Sequence, residues 1–443
     1  MEDSSKSHHH PISKEEAALL NTNHIAGVSI DDLVQKYGSP LYVYDLESIR
    51  SQYLNLVKAF GGFKHQIHYA VKANSSMSIL KFISSLGASV DTVSVAEIKC
   101  CLQAGFRPEN IVFTPSGPSP QDLEFAINNS IIMVLDNKQV IEWIGKTFKK
   151  PIDIAIRLNP LVFTGGDDKI SVAGENSKFG MDSKTVEEVK TICKQYGLNI
   201  VGVHIHTGSD ISDKEKYMQA IDFLVKIAIG FDSLKFVDLG SGFKVSYHSG
   251  DKKDKDTNLE EYSKDIHSKL QCLIDKFDLQ VKFEPGKYIV GKSGYLITTA
   301  EVVKEANGHN FVIVDSGLNH LIRPMMYSKA FHYIHNASNL NGAHKKYNVC
   351  GYVCETDNFG LDRDLSEVRP GDKIIIHNAG AYGFTMASNY NLRCRPAEVA
   401  IKDKNHFLIR QRESFEDILK HQLIINFEGA TEEERKPHIA LTR

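Results

Sequence analysis

Four short stretches of this 443-residue chain pair chemically able side chains with small residues that let a ligand approach. In "HYAVKANSS", Lys72 ends an apolar, strand-like run. Desolvation at the mouth of a strand lowers a lysine's pKa and frees its amine for imine chemistry with a carbonyl. A surface lysine whose stem lies on apolar neighbours is the plain alternative. In "VGVHIHTGSD", His204 and His206 share one strand face, just ahead of Gly208 and Ser209. An i, i+2 histidine pair can hold a metal, but no carboxylate or third histidine lies near in sequence, so none is expected. An imidazole beside a Gly-Ser turn also suits a planar, phosphorylated ligand. In "VDLGSGFKV", Gly240, Ser241 and Gly242 close a strand, and small residues there let backbone N–H groups approach an anion. That signal is weak alone. In "VKFEPGKYIVG", Glu284, Pro285, Gly286 and Lys287 end another strand. Glu284 suits an ordinary salt bridge, or a pyridine nitrogen that it would hold protonated. A fifth stretch, "GYVCETDNFG", sets Cys354 beside Glu355 and leaves open whether the thiol packs or reacts.

The elements around these stretches follow a rhythm. From about residue 65, short apolar runs alternate with amphipathic segments: "QIHYAVKA", "ASVDTVS", "NIVFT", "IIMVLD", "IDIAIRLN", "IVGVHIHT", "LKFVDLG" and "VKFEPG". Runs apolar on both faces, spaced by helices, predict a parallel sheet. Eight such units predict a closed (β/α)8 TIM barrel, whose functional residues gather at the C-terminal strand ends. An open doubly wound sheet is the alternative, but no GxGxxG follows the first strand. After residue 294 strands follow one another without long helices, in "GYLITTAEVVKEA", "NFVIVDSG", "YNVCGYVCE", "DKIIIHNAG" and "PAEVAIKDKNHFLIR". The fold class is therefore α/β plus β: an N-terminal barrel and a C-terminal β domain, a sandwich or small barrel. The expected division is a flexible tail at 1–24, strand structure at 25–47 joining the C-terminal domain through "SPLYVYDL", the barrel at 48–293, the β domain at 294–420 and a tail at 421–443.

Bulk properties exclude several classes. A net charge of −3 gives no reason to expect nucleic acid or an acidic membrane as partner. No apolar run approaches the roughly 20 residues needed to span a bilayer. The N-terminal "MEDSSKSHHHPISKEEAALL" lacks the basic-then-apolar form of a signal peptide, so a cytoplasmic protein is expected. Seven cysteines without CxxC spacing suggest neither a disulfide framework nor a structural zinc site. Cys100 and Cys101 sit in a helix-like segment and are expected to pack.

Taken together, the first four stretches describe a site for pyridoxal phosphate: a lysine to carry it, a carboxylate for its ring nitrogen, an imidazole to stack, and a turn for the phosphate. The chain also resembles the alanine-racemase-like, fold type III decarboxylases, and among them the diaminopimelate decarboxylases. The matching marks are "YAVKAN" (69–74), "NSKFGM" (176–181), "HIHTGS" (204–209), "DLGSGF" (238–243), "EPGK" (284–287), "LIRPMMY" (321–327), "VCETD" (353–357), "NAGAYGFTMASNYN" (378–391) and "RPAEV" (395–399). They run in family order over about residues 30–415.

The resemblance implies that Lys72 binds the cofactor covalently and His206 stacks on its ring. Ser209, Gly240, Ser241 and Gly242 would hold the phosphate, with Tyr382 close by, and Glu284, in its Pro285-Gly286-Lys287 turn, would meet the ring nitrogen. Arg323 and Tyr327 would hold the distal carboxylate of the substrate, and Glu355 its distal ammonium. It further implies a homodimer with shared active sites, in which Cys354 and Glu355 enter the partner's site and the Cys354 thiol returns a proton to Cα. Two departures touch the site. The family's Gly-Gly-Gly turn is Gly240-Ser241-Gly242 here, and its "EPGR" is "EPGK". Lys287 keeps the charge, toward phosphate or substrate, but loses a planar grip on a carboxylate.

The implied activity is decarboxylation of meso-2,6-diaminopimelate to L-lysine. The alternatives are a decarboxylase of ornithine, lysine or arginine, or an inactive binding relative. Arg323 with Glu355 answers both distal charges of diaminopimelate. Diamine-forming relatives usually carry aspartate after the cysteine. An inactive relative tends to lose cofactor-binding residues, whereas Lys72, His206, Glu284, Cys354 and Tyr382 are all present.

Overall fold

The structure is a computed structural model that describes residues 14–162, 173–174, 177–327 and 330–425. Asn176 of the "NSKFGM" mark, the "HHH" at 8–10 and most of the expected C-terminal tail lie outside the described residues.

Eight parallel strands close into a barrel: His65–Ala70, Ser89–Thr92, Ile111–Phe113, Ile132–Leu135, Ile152–Leu158, Leu198–Ile205, Phe236–Asp238 and Gln280–Phe283. Each overlaps one of the eight predicted runs, although His65–Ala70, Leu198–Ile205 and Gln280–Phe283 begin one or two residues earlier. The last pairs with the first, Val281 opposite His65 and Phe283 opposite Ile67, which removes both sheet edges. Helices between strands begin where a side chain caps their free N–H groups. Asn258 accepts from Glu261 N at the start of Leu259–Phe277, and Ser119 forms a capping box with Asp122 ahead of Pro120–Asn128.

Strand alternation decides what faces the barrel's interior. On the last strand Val281 and Phe283 join the large apolar core beneath the helices, so Lys282 and Glu284 face inward. By the same alternation Val90, Ile156, Val203 and Val237 pack outward, and Asp91, Arg157, His204 and Asp238 turn in, all nine-tenths or more buried. A small apolar floor of Val112, Val134, Ala155, Val201 and Phe236 lies among the inward residues. The upper interior is polar, and that is where the predicted site lies.

The second unit is a nine-stranded sheet. Its central strand Gly294–Ala306 pairs antiparallel with Leu41–Asp45, which pairs parallel with Ala397–Lys402. The early "SPLYVYDL" run is thus built into the C-terminal sheet, as expected. Tyr42 and Tyr44, fully buried, donate to the His320 carbonyl (2.6 Å) and to Glu398 Oε1 (2.7 Å). Two strands were not foreseen. Ile334–Asn336 is too short to show a period, and Asn358–Ser366 breaks its alternation where Asp362 takes a positive φ. Residues from Lys14, expected as part of a flexible tail, form the helix Lys14–Leu20 and a paired turn, His24–Ile25 with Val28–Ser29. Asn21 Oδ1 accepts from the Tyr333 hydroxyl (2.8 Å), and the Thr22 carbonyl accepts from His335 Nε2 (2.8 Å).

Burial pushes four histidines down, His68 and His332 to about 3 and His320 and His335 to about 4. The unfolded chain takes up protons at these histidines below about pH 6.5 while the folded chain does not, so they stabilise above that pH and the stability is lost on acidification. Burial also raises several carboxylates, which act in the opposite direction, but among them only Asp91, raised to about 7, and Asp238 are raised far, against four histidines lowered to about 4 or below. The thermal midpoint of the cofactor-free protein should therefore fall by several degrees between pH 7 and pH 5. A flat or rising midpoint in calorimetry would contradict neutral, buried histidines.

Candidate active site

The first barrel strand ends at Ala70, and a single 3-10 turn, Val71–Ala73, carries Lys72 into an open cavity. That turn is held from both sides. The Ala70 N–H donates to the Pro285 carbonyl (3.2 Å), and the Tyr382 N–H donates to the Ala73 carbonyl (2.8 Å). Tyr69 closes the turn by donating to the Asn74 carbonyl (2.9 Å). Lys72 Nζ lies 3.9 Å from Asp91 Oδ2 at the end of the second strand. Burial alone would lower the Lys72 pKa, but Asp91, Tyr382 and Glu284 outweigh it and hold the amine above its ordinary value. The expectation that desolvation frees this amine is reversed: without a cofactor, the lysine is kept charged.

Glu284, buried at the end of the last strand, receives His204 Nε2–H at Oε2 (3.2 Å), while its Oε1 and His204 Nδ1 have no hydrogen-bond partner among the described residues. Burial would raise its pKa, yet His204, His206 and Lys72 together hold it well below the usual carboxylate range. Asp238 shows the opposite balance. Burial and the charge on Glu284 raise it well above that range, although its Oδ1 accepts the Gly240 N–H at 2.9 Å. His204, Asp238 and Glu284 present donor atoms within 4.8 Å of one another, a set that sequence spacing did not reveal. A cation would have to break the His204–Glu284 bond and meet an Asp238 whose charged form burial disfavours, so a protonated ring nitrogen is the better match for Glu284.

The turn after the seventh strand supplies a cradle. Gly240 (φ +60°) and Gly242 (φ +133°) adopt left-handed backbone, and a Cβ on either would lie 2.5 Å from His206 Nδ1 or 2.2 Å from the Gly208 carbonyl oxygen. Only glycine fits. The Ser241 N–H points at His206 Nδ1 (3.4 Å) and so fixes the ring rather than an anion. His206 is held neutral by burial, reinforced by Arg157 and Lys72. Lys72, His206, Ser209, Ser241, Glu284 and Tyr382 all line one cavity of about 430 Å³, part of it open to solvent; Gly242, Gly286 and Lys287 line it too. The unpartnered oxygen of Glu284 at one place and the bare glycine turn at another fit pyridoxal phosphate.

Beyond the cavity, the short helix Arg323–Met326 buries Arg323 with its guanidinium carbon 4.9 Å from the Tyr247 ring and 5.8 Å from the Tyr327 ring. No described carboxylate comes within 4.0 Å of it. Lys287 differs. It is ion-paired with Asp210, so its charge is balanced inside the protein. Burial would raise the Asp210 pKa, but Lys287 outweighs this and keeps the carboxylate ionised. Cys354 and Glu355 are exposed in the turn after His344–Cys350 and do not line the cavity. Asn391 Nδ2 lies 3.6 Å from Cys354 Sγ, and the Tyr390 hydroxyl donates to Glu355 Oε1 (2.9 Å).

Asp91, Arg157, Asp210, Asp238 and Tyr247 were missed from sequence. The readable signal was a charged residue at the inward position of a strand end, as in "ASVDTVS" and "IDIAIRLN". Asp210 and Tyr247 carried none.

Comparisons with known proteins agree with this geometry. The family described as pyridoxal-dependent decarboxylase, pyridoxal binding domain, matches residues 46–291. A diaminopimelate decarboxylase of Methanothermobacter thermautotrophicus is 34% identical over 410 residues, covering 90% of this chain and 95% of the relative. One from Helicobacter pylori is 37% identical over 405 residues, covering 89% and 98%. The crystal structure of diaminopimelate decarboxylase from Helicobacter pylori complexed with L-lysine superposes with a TM-score of 0.82 at 36% identity, covering 88% of this chain and 98% of that one. A catalytic barrel whose cofactor is pyridoxal phosphate, and relatives matched over nearly their whole length, lead to one assignment. The chain belongs to the diaminopimelate decarboxylase family of pyridoxal-dependent decarboxylases.

Proposed function

We propose that the protein decarboxylates meso-2,6-diaminopimelate to L-lysine and carbon dioxide, as a homodimer of the cytoplasm. The observation that carries the substrate choice is Arg323: a buried guanidinium with no described carboxylate within 4.0 Å, the nearby Asp210 being ion-paired with Lys287 instead. Ornithine, lysine and arginine end in a cation that such a group repels, whereas diaminopimelate ends in an ammonium and a carboxylate.

Pyridoxal phosphate, when bound, supplies the electron sink that lets carbon dioxide leave Cα. Lys72 would hold it through Nζ, and Asp91, 3.9 Å away, would take part in the proton balance of that amine. The ionised Glu284, steadied by His204, would keep the ring nitrogen protonated. His206, neutral and fixed by the Ser241 N–H, would pack on the ring. Ser209, the Ser241 side chain, Gly242 and the Tyr382 hydroxyl would receive the phosphate, with Gly240 giving the turn its close approach. Arg323 and Tyr327 would bind the distal carboxylate, with Lys287 contributing little because Asp210 balances it.

Cys354 would deliver a proton from Sγ to Cα in the partner's site, with Glu355 binding the distal ammonium there. Their exposure supports this, as does the exposed apolar surface of Tyr390 and Leu392 beside them. Among the described residues no helix is long and apolar enough to cross a membrane, and all seven cysteines are free, which supports the cytoplasmic reading.

Four amino acids decide the substrate: meso-diaminopimelate, ornithine, lysine and arginine, each followed by carbon dioxide release. Faster release from any of the last three would overturn the assignment. Lys72→Ala should lose both turnover and the visible absorbance of bound cofactor. Cys354→Ala should keep the absorbance but slow turnover by about 10²-fold or more, the usual contribution of a positioned acid. Mixing these two inactive chains should restore activity, because one site of a mixed dimer holds both residues intact. No recovery would mean that each chain completes its own site.

A further inference from the structure

We propose that His332 is a positioning residue for Arg323: a neutral imidazole that orients the guanidinium by accepting one of its N–H groups, without cancelling the charge a ligand carboxylate needs. The inference rests on the reading of Arg323 as the distal-carboxylate group. His332 Nδ1 lies 2.7 Å from the His377 carbonyl oxygen. A carbonyl only accepts, so Nδ1 carries the proton and Nε2 keeps its lone pair. That lone pair faces Arg323 Nη1 at 3.1 Å, and guanidinium only donates. The tautomer is thereby fixed by chemistry at both ends.

The arrangement is rigid. His332 is fully buried and Arg323 nearly so. The His377 N–H donates back to the Tyr333 carbonyl (2.9 Å), so the segment bearing His332 is tied twice to the end of the strand Lys373–Ile376. Tyr247 closes the other side: its ring meets His332 edge-on at 5.2 Å and lies 4.9 Å from the Arg323 guanidinium carbon. An aspartate or glutamate at position 332 would grip the guanidinium more strongly, but would leave the substrate a balanced pair instead of a cation. Lys287 shows that outcome, since Asp210 balances it. Burial and the charge on Arg323 push the imidazole down to about 3, so it stays an acceptor throughout the neutral range.

The test uses two ligands of the holoenzyme that differ by one group: L-lysine, which carries the distal carboxylate, and cadaverine, which lacks it. Binding is read from the change in cofactor absorbance. His332→Phe keeps a ring but loses the acceptor, and should weaken L-lysine by roughly 10-fold or more, the usual loss for a hydrogen bond to a charged group. Cadaverine binding should not change. KM for diaminopimelate should rise in parallel while kcat holds. His332→Gln, which can still present an oxygen to Arg323, should recover most of the loss. If the Phe variant does not fold, His332→Asn serves, since it keeps a donor for the His377 carbonyl and gives up the reach to Arg323. Equal weakening of both ligands, no weakening, or a Gln variant no better than Phe would overturn the proposal. A wild-type protein that holds L-lysine no better than cadaverine would overturn the Arg323 reading itself, and the His332 proposal with it.

Discussion

Three carboxylates share the buried mouth of the barrel, and they cannot all be ionised there. Asp91 is raised to about 7 and Asp238 is raised well above the usual carboxylate range, while Glu284 is held well below it. Glu284 keeps its charge because His204 donates to it and Lys72 faces it, whereas at Asp238 burial and the charge on Glu284 outweigh the Gly240 N–H and the charge on Lys282. The site therefore offers one firm negative charge and two carboxyls whose charged forms are disfavoured. A protonated ring nitrogen needs just such a charge, and an amine that exchanges protons needs such neighbours. Strand alternation imposes this crowding, because every second residue of a barrel strand must face inward.

The distal end of the site follows the same rule of balance with the sign reversed. Lys287 and Arg323 are both buried cations beside Tyr247. One is balanced by Asp210 and the other is only oriented, by His332. The replacement of arginine by lysine in the "EPGK" turn thus reads as part of a pair with Asp210, not as an isolated change. On the proposed reading, specificity would depend on which buried cation is left with charge to share.

The two units are joined where the chemistry needs them. Leu41–Asp45, ahead of the barrel in sequence, is a central strand of the C-terminal sheet, and the Tyr382 backbone bonds to the Ala73 carbonyl beside Lys72. The loop that brings Tyr382 to Lys72 comes from the sheet unit. Cys354 and Glu355 belong to the same unit yet lie exposed, so the unit completes its own cavity with one loop and presents another outward.

Much of this was legible in the chain. The eight barrel strands were visible as short apolar runs spaced by amphipathic helices, because the barrel's period is local. Lys72, His206, Glu284 and the Gly240–Gly242 turn were visible because each sits at a strand end beside residues chosen for close approach. The order of ionisation was not legible. That Lys72 is held charged, that the Asp238 carboxyl is raised while Glu284 is lowered and that Lys287 is balanced by Asp210 depend on distances between residues far apart in sequence. Nor could the sequence show that His332 faces Arg323, since a histidine in "KAFHYIHNA" has no periodic mark. Local periodicity and small residues determine which elements form. Electrostatics falls off with distance through space, not along the chain, so only the tertiary structure decided which charges survive.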